Sequence, residues 1–405
     1  MGDIKIAHGL LESMRAPGAA PEHRVIVAYR RDVSLASRPA VGRAALRQLT
    51  LIPATALSLN LDQVRQLAAD PTVERIWPDL VVRTCLNASV PHIRAPEVWT
   101  AGYSGRQVPV GIVDTGIDAG HPDFVGRIAA MYDVTGEGSK DNHGHGTHVA
   151  GIVGGAGSLY RGVAPDCALH VAKVLHADGS GYMSEVIAGL EWVVEQGVKV
   201  VNLSLGGVGP CDGSDALSVA CDAAVDRGIV VCVAAGNYGP QAASVGPPGC
   251  ARKVLTVGAS SVVDAVPSFS ARGPTSDGRI KPDILMPGVD VVSCRATDTS
   301  MGAPLDTLYT RASGTSMAAP HAAGVAALLL EAFPGLTPAQ VKDRMMTTSC
   351  DLSLDPNTQG KGRGDAYHAY LGTPSGPPVT PPASGCLTAV ANWFVVAATA
   401  FRRGG

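Results

Sequence analysis

The sequence predicts an α/β protein: a doubly wound, mostly parallel sheet flanked by helices, preceded by a small α+β unit. Three observations lead there. From about Ser89 to Leu371, short Val/Ile/Ala-rich runs alternate with helical stretches. Glycine is abundant, 48 of 405 residues, while aromatics make up only 4%, which suits tight turns and closely packed helices. Ahead of Ser89 the rhythm differs, with strand, helix and strand following one another within residues 23–85.

The elements follow in order. Residues 1–22 read as a polar, poorly ordered, flexible lead. HRVIVAYR (His23–Arg30) alternates as a strand does. In Ser58–Asp79 come a strand end, a helix over Leu61–Ala69 with Asp62 as candidate cap, and a second strand after Pro71. Within residues 86–371, VPVGIVDTG, LHVAKVL, VKVVNLSLGG, IVVCVAAGN and KVLTVGAS read as strands ending in glycine or polar turns. THVAGIVGG, SEVIAGLEWVVEQG and DALSVACDAAVDRG between them read as helices. Ligands of such sheets bind beyond the carboxyl ends of the strands. Residues 372–385 form a Pro-rich, semi-rigid linker. Residues 386–405 are a short tail, whose apolar run Cys386–Phe401 is broken by Asn392 and followed by Arg402 and Arg403. That run is short for a membrane span of about 20 residues. It reads either as an anchoring or sorting tail or as a docked or flexible helix.

Charge and cysteines narrow the function. A net charge of −3 provides no basic field for nucleic acid or an anionic membrane. None of the nine cysteines stands in a C-x-x-C pair. An odd count leaves at least one thiol free or paired between chains. Cys232, inside an apolar run, reads as a buried small hydrophobe. MGDIKIAHGLLESMRAPG lacks the basic-then-apolar pattern of an export signal. Either the protein stays inside the cell, or the signal lies outside this sequence.

Four segments carry chemistry. An apolar strand delivers Asp114 at its carboxyl end, followed by Thr115–Gly116. An Asp there can hold a histidine tautomer, or simply make an Asx-turn. DNHGHGTHVAGIVGG places His145 at a helix start. A hydroxyl nucleophile needs such a base, although His143, His145 and His148 together also pose the question of a metal. AAGN ends a buried strand on Asn237, an amide of the kind that stabilises an oxyanion. GTSMAAPHAAG puts Ser316 at the start of a long apolar helix. That serine is either a helix cap or a nucleophile facing the positive end of the helix dipole. Their order, Asp, His, Asn, Ser, makes coincidence a poor explanation.

These motifs resemble those of the subtilisin-like serine proteases over about Ser89–Leu371. The resemblance implies a triad of Asp114, His145 and Ser316. It implies an oxyanion hole from Asn237 and the Ser316 backbone N–H, and peptide hydrolysis through an acyl-enzyme. It identifies Gly179–Ser180–Gly181 and Ser204–Leu205–Gly206 as two edges that sandwich an extended peptide substrate. Ala234, Ala235 and Gly236 become a wall of the primary specificity pocket and Gly246 its floor, which implies that large apolar P1 residues are accepted. Residues 23–85 resemble the family's inhibitory propeptide, with a cut near Cys85–Leu86. A self-inhibited, secreted or cell-surface monomer follows, with its own propeptide as intramolecular partner and no nucleic-acid partner. No cofactor is required for the chemistry, and structural calcium has room in the picture. Asp123, in HPDF, matches a calcium-ligand position of the family. The stretch VGGAGSLY, however, is shorter than the loop that wraps that ion and lacks its Asn-rich ligands. Two other readings stand beside the protease: a metal-dependent hydrolase built on His143–His148, and an inactive fold that only binds.

Overall fold

The structure, a computed structural model, describes residues 5–6, 10–15, 21–30, 32–33, 46–49, 53–79 and 88–376. The chain divides into two compact units, Met1–Thr84 and Cys85–Gly405. The expected cut at Cys85–Leu86 and the tail of residues 386–405 lie outside the described residues.

In the first unit, α1 (Leu10–Arg15) precedes β1 (His23–Tyr29), β2 (Arg47–Leu49), β3 (Ala54–Leu59), α2 (Leu61–Ala69) and β4 (Val73–Pro78). The strands form an antiparallel sheet in the order β2-β3-β1-β4. Alternate side chains of β1, Val25, Val27 and Tyr29, meet Val64 and Leu67 of α2 in one core. Two expectations need correction. The lead is not uniformly loose, because Ile6, Leu10 and Met14 are buried in this core. The cap of α2 is Asn60, not Asp62: Asn60 and Gln63 form a reciprocal capping box. Asp62 instead lies in the first turn, facing the positive helix end.

In the second unit, α3 (Ser89–His92) and α4 (Ala95–Thr100) lead into β5 (Pro109–Asp114) and β6 (Ile128–Asp133). Then come α5 (His145–Gly154), β7 (Ala168–Lys173), α6 (Met183–Glu195), β8 (Val200–Leu203), α7 (Ala216–Asp226), β9 (Val230–Ala234), β10 (Leu255–Ser260) and β11 (Ile284–Pro287). The seven strands form one sheet in the order β11-β10-β9-β8-β5-β7-β6, with every pairing parallel. A small antiparallel sheet follows, β12 (Val291–Cys294), β13 (Ala303–Pro304) and β14 (Tyr309–Ala312). Four helices complete the unit: α8 (Thr315–Ala332), α9 (Pro338–Thr347), α10 (Pro356–Gln359) and α11 (Ala366–Leu371).

Period-two alternation puts helices on both faces. Val200, Val230 and Cys232 point into a core shared with α5 and α8. Their neighbours Val201, Val231 and Val233 point into another, shared with α6 and α7. In α8 almost every residue from Thr315 to Leu329 is buried. Its alanines let the sheet approach closely, and each buried leucine contributes about 1.5–3 kcal/mol. From central β5 the chain first builds one side of the sheet, β6 and β7, and then the other, β8 to β11. The reversal leaves a crevice beyond the carboxyl ends of the strands flanking β5.

Candidate active site

Asp114 closes β5 and is fully buried. Its Oδ1 accepts from His145 Nδ1 at 2.7 Å and from the Thr115 backbone N–H at 2.8 Å. With Nδ1 donating, Nε2 of His145 keeps its lone pair. Burial, the largest single influence, lowers the His145 pKa, but the Asp114 charge and hydrogen bond outweigh it and the net shift is upward.

His145 is the first residue of α5, and Gly144 before it has φ +103°, a conformation that only glycine adopts cheaply. At Gly146 a Cβ would collide with the Gly116 carbonyl, so the strand end bearing Asp114 and the helix bearing His145 can touch. Asp141 fastens this corner. Its Oδ1 accepts from Thr115 Oγ1 and the N–H groups of His143 and Gly144, and its Oδ2 from the N–H and hydroxyl of Thr147. Sequence reasoning passed over Asp141. Its signal was the run of glycine-spaced backbone donors just after it.

Ser316 is the second residue of α8. Its Oγ donates to the Ser204 carbonyl at 3.0 Å, and Ser204 Oγ donates back to the Ser316 carbonyl at 2.8 Å. Asn237 follows β9. Its Oδ1 accepts from the Thr315 N–H at 2.8 Å and the Thr315 hydroxyl at 3.0 Å. That fixes the amide with Nδ2 as its donor end on an exposed residue.

All four residues but the buried Asp114 line one cleft of about 580 Å³. Two segments border it, Gly179–Ser180–Gly181 and Ser204–Leu205–Gly206. Ala234 and Gly236 line it, with Leu217, Val186 and Met183 adding apolar surface. Ala235 and Gly246 do not line it. Ala235 packs with Val245 and Ala271, and a Cβ on Gly246 would collide with the Gly207 carbonyl behind the lining.

The first of these borders has an anchor that sequence reasoning did not single out. His176 Nδ1 lies 3.0 Å from Glu137 Oε1 and its Nε2 3.3 Å from Glu185 Oε1. The His176 N–H donates to the Ser180 carbonyl at 2.8 Å. The Glu137 hydrogen bond, then the bond to Glu185 and both charges, raise the His176 pKa against desolvation.

The three histidines of the metal reading do not converge. His148 is buried, with Nε2 3.2 Å from the carbonyls of both Val291 and Thr310, and burial pushes its pKa down to about 3. Among the described residues the group of donors that does converge is His121, Asp123 and Cys294. This set does not fit the calcium that the family position of Asp123 suggests. Calcium takes six to eight oxygens, whereas Asp123 meets a thiol at 3.6 Å and a tyrosine hydroxyl, Tyr309, 3.1 Å from each carboxylate oxygen.

The cysteines resolve in part. Cys211 and Cys250 form a disulfide, while Cys167, Cys221, Cys232, Cys294 and Cys350 are free and buried. Among the described residues, no helix is long and apolar enough to cross a membrane.

Residues 105–368 match the model of the subtilase family. The chain is 38% identical over 331 residues to serine protease AprX of Bacillus subtilis (strain 168), covering 74% of this chain and 75% of that one. It is 40% identical over 278 residues to subtilisin DY of Bacillus licheniformis, covering 67% and 94%. A solved cold-adapted subtilisin-like serine proteinase superposes with a TM-score of 0.54 at 35% identity, covering 65% of this chain and 88% of that one. Fold, site order and relatives agree: the chain belongs to the subtilase family and is a serine-type endopeptidase.

Proposed function

We propose that peptide bonds are cut by Ser316 as nucleophile, His145 as base and Asp114 as the group that orients it. The observation that supports this most is the 2.7 Å bond from buried Asp114 to His145 Nδ1, in a cleft that also holds Ser316 and Asn237. As the substrate strand settles between Gly179–Gly181 and Ser204–Gly206, its N–H groups compete for the Ser204 carbonyl. The Ser316 hydroxyl is released and turns its proton to His145 Nε2. Oγ attacks the carbonyl carbon, His145 takes the proton, and the oxyanion receives hydrogen bonds from Asn237 Nδ2 and the Ser316 N–H. Collapse breaks the C–N bond, and His145 returns the proton to the leaving amine. Water then repeats the sequence on the acyl-enzyme.

We infer broad specificity with large apolar P1 residues, on the ground that glycines leave space in the cleft wall and Leu175, Leu205, Leu217, Val186 and Met183 give it apolar surface. Residues 23–85 are the proposed intramolecular inhibitor of a secreted or cell-surface, monomeric zymogen, and the reaction itself requires no cofactor. Calcium elsewhere in the fold remains part of the proposal. The test is expression with and without Ser316→Ala, followed by intact mass, fluorophosphonate labelling and casein hydrolysis. The wild type should label, digest casein and shorten near Cys85–Leu86. Equal maturation of both forms without added protease would overturn self-processing, and an unlabelled wild type would overturn the nucleophile.

A further inference from the structure

Among the described residues, the buried Asp123 carboxylate accepts from Tyr309 and Cys294 but has no Lys or Arg partner. Its side chain is 6% exposed, and the ion pair found for it, His121 Nδ1 at 4.0 Å, is not a charged one. His121 Nε2 lies 2.8 Å from the Leu308 carbonyl, which only accepts, so Nε2 carries the proton. Nδ1 accepts from the Asp123 backbone N–H at 3.2 Å and is therefore unprotonated, with a lone pair that a metal ion would take in place of that N–H. A buried carboxylate is commonly paired, hydrogen-bonded or bound to a metal.

His121 and Cys294 bring the donors to three, which leaves the fourth position of a tetrahedral ion to a water molecule. Cys294, the last residue of β12, is fully buried and its Sγ stands 3.6 Å from Asp123 Oδ2. A sulfur and an oxygen bound tetrahedrally to one zinc ion would stand about 3.5 Å apart. The donor atoms of His121, Asp123 and Cys294 all lie within 4.8 Å of one another. The outer groups also fit. Ligating histidines usually donate their second N–H to a carbonyl, as His121 does to Leu308. Ligating carboxylates are held by a further hydrogen bond, as Tyr309 holds Asp123.

We propose that His121 Nδ1, Asp123 and Cys294 Sγ form a structural site for zinc or a similar borderline-soft divalent cation, in place of calcium. One imidazole, one carboxylate and one thiolate suit such an ion and not a hard one. Coordination replaces the Cys294 thiol proton, which leaves to solvent, and two anionic ligands neutralise the charge of the ion. The site ties the turn Pro122–Phe124, which follows the Asp114 strand, to β12. Buried on every donor, it is built for stability and not for contact with substrate.

The test uses the full chain carrying Ser316→Ala to prevent autolysis, stripped with a chelator and titrated with zinc, cobalt or calcium alone. One equivalent of zinc should bind, cobalt should give a near-ultraviolet thiolate band, and zinc should raise the melting temperature by about 5 °C. Cys294→Ser should remove the band, and both it and His121→Gln should weaken zinc binding at least about tenfold. Sub-stoichiometric zinc, a Ser316→Ala parent without the cobalt band, or zinc binding unchanged in both variants would each overturn the site. So would stabilisation by calcium and not by zinc. The titration and band of that parent decide the matter even if a variant fails to fold.

Discussion

Ser316 and Ser204 hold each other twice, hydroxyl to carbonyl in both directions, at 3.0 and 2.8 Å. The reason lies four residues on. Pro320 sits inside α8 and has no N–H to give the Ser316 carbonyl, so that carbonyl turns to the Ser204 hydroxyl. Asn202 Nδ2 in turn donates to the same hydroxyl at 2.9 Å. A proline in a helix thus couples the Ser316 backbone to Ser204, on the border of the cleft.

Ser204→Ala should therefore misplace Ser316 and leave the Asn202 amide without this acceptor. We expect kcat to fall about tenfold, equivalent to about 1.4 kcal/mol, with stability lowered by about 1 kcal/mol. Steady-state kinetics beside urea denaturation would separate the two. An unchanged kcat would mean that the reciprocal pair does not position the hydroxyl.

With His145 as the proposed base, the upward shift of its pKa predicts the acid limb of the rate profile. The base must be neutral, so kcat/KM should rise with pH through a midpoint above the ordinary histidine value of 6.5. Asp114→Asn should remove the charge that raises it and lower kcat by about 10⁴. A wild-type midpoint below 6.5 would contradict the Asp114 contribution.

Asn237→Ala removes the amide held by Thr315. We expect kcat to drop by about 10²–10³ with KM nearly unchanged, a magnitude known from the corresponding subtilisin donor. A change confined to KM would place Asn237 in ground-state binding instead.

Asp141→Ala strips five hydrogen bonds from the corner between Asp114 and His145. The variant should lose about 3 kcal/mol of stability, because buried donors lose a charged acceptor. Its kcat should fall by more than tenfold even where it is folded. Calorimetry and turnover on the same preparation check both.

His176 should act through binding. Its folded pKa is raised, so the tie to Glu137 and Glu185 is fully present below the unfolded value and is lost as pH rises through the folded one. Asp178 nearby and Lys173, 3.4 Å from Glu137, face the same cluster. His176→Ala should raise KM a few-fold, roughly threefold, at low pH, with the difference from wild type shrinking at high pH. A pH-independent difference would assign His176 a packing role only.

Much of this was legible in the chain. Asp114 was readable because an apolar strand ends on it, His145 because a glycine turn opens a helix there, and Ser316 because small residues precede a buried apolar run. Such signals are local: periodicity and turn chemistry act over a few residues. Strand β6 escaped notice because it lies half-exposed at the sheet edge and, in IAAMYD, only Ile128 is β-branched. The residues that the resemblance named as substrate edges line the cleft, but only packing separated Ala234 and Gly236, which line it too, from Ala235 and Gly246 behind it.

Residue types, strand–helix alternation and the order of the Asp, His, Asn and Ser segments were determined by the sequence alone. The tertiary structure decided which side chains meet. The partners of Ser204 and Ser316, and of Asp123 and Cys294, stand 112 and 171 residues apart. The physical reason is that packing brings turns, helix starts and strand ends that are distant in sequence against one another, and no spacing along the chain encodes which atoms face one another there.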